Sequence, residues 1–361
     1  MINRLQYLHV IMPALILLFL CSSLRSQDKQ LLKGSVEHIK VHGKGLEGNL
    51  EGDDADRDVS IYLPPGYKTN PARHYPVVYF LHGYTDNDAK WYGLVSHWIN
   101  LPAIVDSIFV KGGANEMIFV TPNAYTRYQG SMYSNSVTTG NWEDYITREL
   151  VAYVDGHYRT IPKSESRGLA GHSMGGYGTM RIGEKHPEVF SSIYLLSPCC
   201  LVPSNNAPDS QAISRMELIK TIGDFEKADF GTKIFFASAA AWSPDPGNPP
   251  LYLALPVKNG RIQPDIEAKW IANRPLATLD QYINNIKQLH AIAFDAGTYD
   301  TGIAASITTL DKELNKYGIK HTFEIYDGNH INRIGDRIRQ KMLKFFSDNL
   351  LFTEKTDKGR K

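Results

Sequence analysis

The chain has 361 residues, 42% of them hydrophobic and 21% charged, with a formal net charge of +1, enough apolar sequence for the core of one large domain or two small ones. That balance excludes the basic footprint of a nucleic-acid binder and the polybasic patch of a membrane-surface protein. Of three cysteines, Cys199 and Cys200 are adjacent, which excludes a disulfide scaffold, because Cα atoms across one peptide sit too close for relaxed bridge geometry.

Residues 1–26 carry the pattern of a signal peptide: Arg4 gives a positive start, an apolar stretch runs from about Leu5 to Leu20, and Ser22, Ser23 and Ser26 follow. A membrane anchor is the competing reading, but the stretch is short and broken by His9 and Pro13. Cys21 raises a third, a lipid-modified N-terminus, against which stands the bulk of Leu20 before it. The expectation is a secreted or periplasmic protein with no stable membrane span once the leader is gone, and a single domain over residues 27–361. The basic end from Lys355 to Lys361 reads as solvated and frayed.

Val36–Val41 and Val59–Leu63 alternate like strands on either side of a Gly/Asp-rich stretch and are expected to pair antiparallel. Val77–Leu81 and Met117–Val120 are short apolar runs bounded by turn residues, as in strands buried on both faces of a parallel sheet. Glu143 to Tyr158 has helical periodicity, with Ile146, Leu150, Tyr153 and Val154 on one side. Gly168 to Ala170 reads as a strand leading to Ser173, Gly176 to about Lys185 as a helix, and Ser192–Leu196 as the next strand. Lys233–Ala237, Ile292–Phe294 and Thr322–Tyr326 read as further strands, and Asp336–Leu350 as a closing amphipathic helix. From Trp242 to about Leu276 the rhythm breaks into Pro, Gly and aromatic residues, which reads as an insertion over the sheet's C-terminal edge. Strands alternating with helices predict an α/β fold, a mostly parallel central sheet flanked by helices.

The sharpest chemical signal is Gly171-His172-Ser173-Met174-Gly175, a serine between glycines with a strand before it and a helix after it. A turn this tight leaves no room for side chains two residues either side, and it lifts the serine hydroxyl out at the top of the sheet as a nucleophile. The Met174 backbone N–H, at the positive end of the new helix, suits an oxyanion. A second donor is expected where Leu81-His82-Gly83-Tyr84 leaves its strand, at the Tyr84 N–H; His82 itself reads as ordering that loop. A serine hydroxyl needs a base, and His330 follows the last strand before the closing helix. The acid that orients it is Asp300 or Asp295; Asp300 is preferred because it lies farther out on its loop, leaving Asp295 to tie that loop down. His321, at the far end of the last strand, reads as structural. No H-E-x-x-H, Cys-x-x-Cys or calcium-loop pattern occurs, so neither a metal nor another cofactor is expected.

These residues resemble the bacterial esterases related to esterase D, the S-formylglutathione hydrolases, feruloyl esterase domains and the antigen 85 mycolyltransferases. The resemblance is carried by Leu81-His82-Gly83, Gly130 to Ser136, Gly140 to Tyr145, Gly171 to Gly178, His186 to Phe190, and the Asp300 and His330 loops. It implies an α/β-hydrolase fold and cofactor-free ester cleavage through an acyl-enzyme on Ser173. The chain departs from the formylglutathione branch, in which a cysteine often follows the His-Gly loop, since Tyr84-Thr85-Asp86 stands there. Small-molecule or carbohydrate-linked esters suit an exported member better, feruloyl or acetyl groups on polysaccharide among them, with Tyr133, Trp142 and Trp242 as candidate stacking surfaces. Two other classes share this outline: an acyltransferase that resolves the same acyl-enzyme with a sugar hydroxyl, and a non-catalytic glycan-binding protein. An intact Ser173, Asp300 and His330 set argues against the last.

Overall fold

Eight strands pair into one sheet in the computed structural model, which describes residues 33–203 and 210–353. They are β1 (Ser35–His42), β2 (Asp56–Leu63), β3 (Val77–Leu81), β4 (Ile118–Pro122), β5 (Arg167–His172), β6 (Ser192–Leu196), β7 (Ala291–Gly297) and β8 (Thr322–Tyr326). Their order across the sheet is β1-β2-β4-β3-β5-β6-β7-β8, antiparallel where β2 meets β1 and β4 and parallel elsewhere. This is the mostly parallel sheet expected, with the antiparallel pair at its edge. The expected leader, Cys21 and the basic C-terminal end lie outside the described residues.

Period-two alternation explains why the central strands read as unbroken apolar runs. In β3, Val77, Tyr79 and Leu81 enter one core while Val78 and Phe80 enter the other, and all five are fully buried. On the first face lie residues 142–157, a helix with a π-helical middle turn (Tyr145–Leu150), Met174–Lys185 and Pro275–Ile286; on the second lie Leu101–Phe109 and the closing helix over 334–349. Each aliphatic or phenylalanine side chain so buried contributes about 1.5–3 kcal/mol, which is why a sheet covered on both sides tolerates almost no polar residue in its centre. We label these helices α1 (Leu101–Phe109), α2 (142–157) and α3 (Met174–Lys185).

Two of the carboxylates that enter these cores are paired with arginines. Glu143 of α2 accepts from Arg181 of α3 at 2.8 Å and from His186 at 3.1 Å. Burial would raise the Glu143 carboxyl, but the His186 bond and the Arg181 and Lys185 charges outweigh it and hold the group down to about 2. Two sequence blocks of the resemblance, Gly140–Tyr145 and His186–Phe190, therefore meet in one clamp between α2 and α3. Asp295 accepts from Tyr194 (2.6 Å) and Arg337 (2.9 Å), and burial pushes its carboxyl up to about 6 against the pull of Arg337. It fastens the closing helix to the sheet through side chains, rather than holding the neighbouring loop through the backbone.

The reading fails at Lys233–Ala237. These residues are not a strand; they lie inside α4 (Phe230–Trp242), capped by Asp229, whose carboxylate accepts from the Thr232 N–H at 3.0 Å. A five-residue apolar run cannot by itself separate strand from buried helix, and the alanines at 237 and 239–241 decide for the helix. The departure from the sheet is accordingly longer than the insertion expected over 242–276: it leaves at residue 197, returns at Ala291, and includes α4, α5 (Pro264–Ala272) and α6 (Pro275–Ile286). It has its own small core, in which Phe225, Phe236, Leu251 and Leu253 close around Tyr128 of the main domain. The Leu276 N–H donates to the Leu201 carbonyl at 3.0 Å, so the segment comes back to where it left.

Candidate active site

At Ser173 the chain turns from β5 into α3 with φ 57° and ψ −113°, a conformation costly for any residue with a Cβ. Three backbone bonds impose it: the Ser173 N–H donates to Leu196 (3.0 Å), and the Ser173 carbonyl accepts from Tyr177 (3.0 Å) and Cys199 (3.1 Å). The flanking glycines are steric necessities. A Cβ on Gly175 would overlap the Leu81 carbonyl and lie 2.9 Å from the His82 oxygen, and one on Gly171 would lie 2.8 Å from the Leu81 oxygen.

Asp300, His330 and Ser173 come together in a line. His330 Nδ1 lies 2.6 Å from Asp300 Oδ2 and Nε2 lies 2.9 Å from Ser173 Oγ. A carboxylate can only accept, so Nδ1 carries the proton and Nε2 is left to receive one from the serine. Asp300 precedes the helix Thr301–Lys316 at its N-cap position but makes no capping bond with its side chain, so its carboxylate is free for the histidine. The acid and base loops are tied to one another: Thr298 N–H donates to Tyr326, and Tyr299 N–H to Gly328. Asn329 and Asn332 lock the His330 turn through bonds of 2.9–3.0 Å between their side chains and its backbone.

Beside this line lie the two backbone donors expected at Tyr84 and Met174. Neither N–H is given to a backbone acceptor in the loop and turn bonds of the described residues. The β3 loop comes close enough to reach the nucleophile, since a Cβ on Gly83 would be 3.4 Å from Ser173 Cβ. His82 accepts from the Ala124 N–H at 2.8 Å and donates to the Gly83 carbonyl at 2.8 Å, a fully buried ring that orders the loop. His321 pairs with Asp311 at 2.9 Å, remote from the serine.

The three nominated stacking rings are a correction. Tyr133, Trp142 and Trp242 are all buried, at 0%, 1% and 3% exposure, and present no face to a ligand in solvent. Tyr133 lies under α3, its hydroxyl donating to the His82 carbonyl; Trp142 donates to Thr139; Trp242 packs on Tyr177 and Trp270. Tyr133 and Trp142 sit where the chain needs volume between α2, α3 and the sheet, the commoner use of a large ring. Exposed rings near the triad and its donors are others: Trp98, edge-on to His172; Tyr299, next to Asp300; and Phe230, 5.8 Å from the Tyr84 ring. Nothing in sequence pattern separates these from core aromatics.

His172 stands at the variable position of its motif, where sequence alone assigns it no role. Its Nε2 lies 2.8 Å from the His330 carbonyl, and its ring stacks obliquely on His330 at 4.8 Å. Burial, then the charge of His330, lower its pKa to about 3, so it is neutral and donates. A depressed pKa means stability that is complete above about 6.5 and is lost as pH falls toward 3. At about 1.4 kcal/mol per unit, wild type should lose roughly 3 kcal/mol from this group between pH 7 and pH 4. Urea unfolding at both pH values should find His172→Gln losing less by about that amount; parallel losses would contradict a buried neutral ring.

An arrangement of this kind can deprotonate a serine, stabilise an oxyanion and reprotonate a leaving group. Comparison with known proteins points the same way. The family model described as "Putative esterase" matches residues 53–333. An esterase of Mycobacterium tuberculosis strain H37Rv, Esterase Rv1288, is 24% identical over 285 residues, 76% of this chain and 52% of the relative; the chain spans about half the length of the curated relatives it matches. A solved ferulic acid esterase superposes with a TM-score of 0.61 at 21% identity, covering 88% of this chain and all of that one. The fluorophosphonate-binding serine hydrolase F of Staphylococcus aureus does so with 0.59 at 17%, covering 87% and 99%. At these identities the likeness shows a common fold.

Proposed function

The chain belongs to the esterase family and has its α/β-hydrolase fold, and from that premise we propose that it is a carboxylic ester hydrolase working through an acyl-enzyme on Ser173. The observation that carries the reading is the unbroken line Asp300–His330–Ser173 at 2.6 and 2.9 Å. Ser173 Oγ attacks the ester carbonyl as His330 Nε2 takes its proton; the oxygen that gains the electron pair is held by the Tyr84 and Met174 N–H groups. The intermediate collapses, the C–O bond breaks, and His330 returns the proton to the leaving alcohol. Water repeats the sequence against the acyl-serine and releases the acid. Asp300 keeps the imidazole in the productive tautomer throughout.

The substrate we propose is an acyl ester of a polysaccharide, feruloyl or acetyl, met outside the cytoplasm. The leader pattern at residues 1–26 supports export, and the exposed rings of Trp98 and Tyr299 support contact with sugar or phenolic groups. The test is a fluorophosphonate label together with a panel of 4-nitrophenyl acetate and butyrate, methyl ferulate and an acetylated xylo-oligosaccharide, each with and without an added alcohol. Ser173 is expected to take the label, and at least one ester to be hydrolysed at a rate unchanged by the alcohol. A folded protein that takes no label would rule out the enzyme; acyl transfer to the alcohol in preference to water would make it a transferase.

A further inference from the structure

Arg274 lies between α5 and α6, where that segment is bolted over the start of α3. The bolt is Tyr177, one turn beyond Ser173: its hydroxyl donates to the Asn273 carbonyl at 2.8 Å and its ring packs on Trp242 at 5.5 Å. From there the Arg274 guanidinium lies over the Trp242 ring, its carbon 4.5 Å from the centroid, and beside the Cys200 thiol. Cys200 is one residue from Cys199, whose N–H donates to the Ser173 carbonyl, and the preceding Pro198 is so close to α3 that a Cβ on Gly176 would be 2.8 Å from its Cα. The guanidinium thus sits at the carboxyl end of β6, on the same end of the sheet as the serine.

What is unusual is the company it keeps. Arg274 is half-buried, yet among the described residues no carboxylate forms an ion pair with it and no oxygen accepts from its side chain. The contrast is with the buried arginines: Arg181 and Arg337 are each paired with a glutamate at 2.7–2.8 Å, and Arg57, which also lies over a tryptophan, gives its donors to the carbonyls of Asp54, Asn123 and Tyr125. A planar fork with five donors, held over an indole with the Cys200 thiol as its side-chain hydrogen-bond partner, matches a carboxylate brought in from outside. The thiol is a weak acceptor beside a carboxylate, though its pKa is drawn down, by the Cys199 bond first and by Arg274 as well.

We propose that Arg274 forms an anionic subsite beside the nucleophile and selects esters that carry a free carboxylate. The proposal rests on the esterase reading of Ser173 and adds a substrate class to it: acidic acyl groups, or alcohols bearing an acid such as a uronate. The two sources share one chemistry and separate in the test. Mono-4-nitrophenyl glutarate against 4-nitrophenyl valerate places the charge on the acyl side; 4-acetoxybenzoate against its methyl ester places it on the alcohol side.

For the productive pair, wild type is expected to favour the charged ester through KM, and Arg274→Gln to lower the charged-to-neutral ratio of kcat/KM by about tenfold or more. Arg274→Lys should keep part of the preference, and salt should erode it in wild type. A ratio unmoved by Arg274→Gln in both pairs would overturn the subsite and leave Arg274 as packing for Trp242. Binding of mono-4-nitrophenyl glutarate and of 4-acetoxybenzoate to Ser173→Ala, with and without Arg274→Gln, reads the same contact without turnover. Arg274-dependent binding by a folded wild type that takes no fluorophosphonate label and hydrolyses none of these esters would sink the esterase reading while sustaining the subsite.

Discussion

Ser173→Ala is expected to lose at least about four orders of magnitude in kcat on any ester the wild type hydrolyses, while keeping its fold. Without Oγ no acyl-enzyme forms, and what is left is the rate that the Tyr84 and Met174 donors give to attack by water. Alanine meets the φ of 57° no better than serine does, so its stability should match wild type. Ser173→Gly separates chemistry from strain. It should be as inactive as alanine yet more stable by about 1 kcal/mol, since a backbone in this region costs a residue with a Cβ about 1–3 kcal/mol and glycine gives back part of that in chain entropy. Urea unfolding of the three proteins side by side measures it, and a glycine variant no more stable than alanine would mean the turn is relaxed.

Gly175→Ala should do the most damage of any single methyl. The new Cβ would overlap the Leu81 carbonyl and sit 2.9 Å from the His82 oxygen. Both are backbone atoms of a fully buried strand end, so no side chain can rotate away. Either β3 or the start of α3 must shift, and the expected cost is about 4 kcal/mol or more. The same shift moves Tyr84, three residues beyond Leu81, so any folded fraction should turn over poorly. Gly156→Ala in α2 is the control: nothing lies within 4 Å of its Cβ, and helix propensity predicts a gain of up to about 1 kcal/mol. Thermal unfolding of the pair should separate them by about 7 °C or more; similar melting points would mean that β3 and α3 are not in contact.

The sheet and the Ser173 turn were legible in sequence because each rests on a local rule. β3 is apolar at every position, and β6 at every position after Ser192, since both faces are covered, and the glycines at 171 and 175 are fixed by clashes within a few residues of chain or with the strand alongside. His330 and Asp300 were legible by order and by their place after strands, which is topology expressed as sequence. Position alone separates Asp300 from Asp295 in sequence; the bonds of Asp295 are to Tyr194 on β6 and to Arg337 on the closing helix, both far away along the chain. Exposure was not legible. Trp98 and Trp142 are the same residue type, yet the packing of α2 on the sheet buries Trp142 while Trp98 is 41% exposed. Lys233–Ala237 failed for a different reason, its five residues being too few to show a period, whereas the Asp229 cap just ahead of them did carry the helix signal.

The bond between Leu276 and Leu201 makes the long excursion a closed stem, with the nucleophile encoded wholly before it and the acid and base wholly after it. Such a cassette can be lengthened, shortened or exchanged at its neck while the β6–β7 pairing stays where it is. Closing a loop twice as long costs only about 0.6 kcal/mol more, so the chain can revise what it accepts without revising how it cuts. Descent with change in this segment would yield catalysts of one mechanism and many diets.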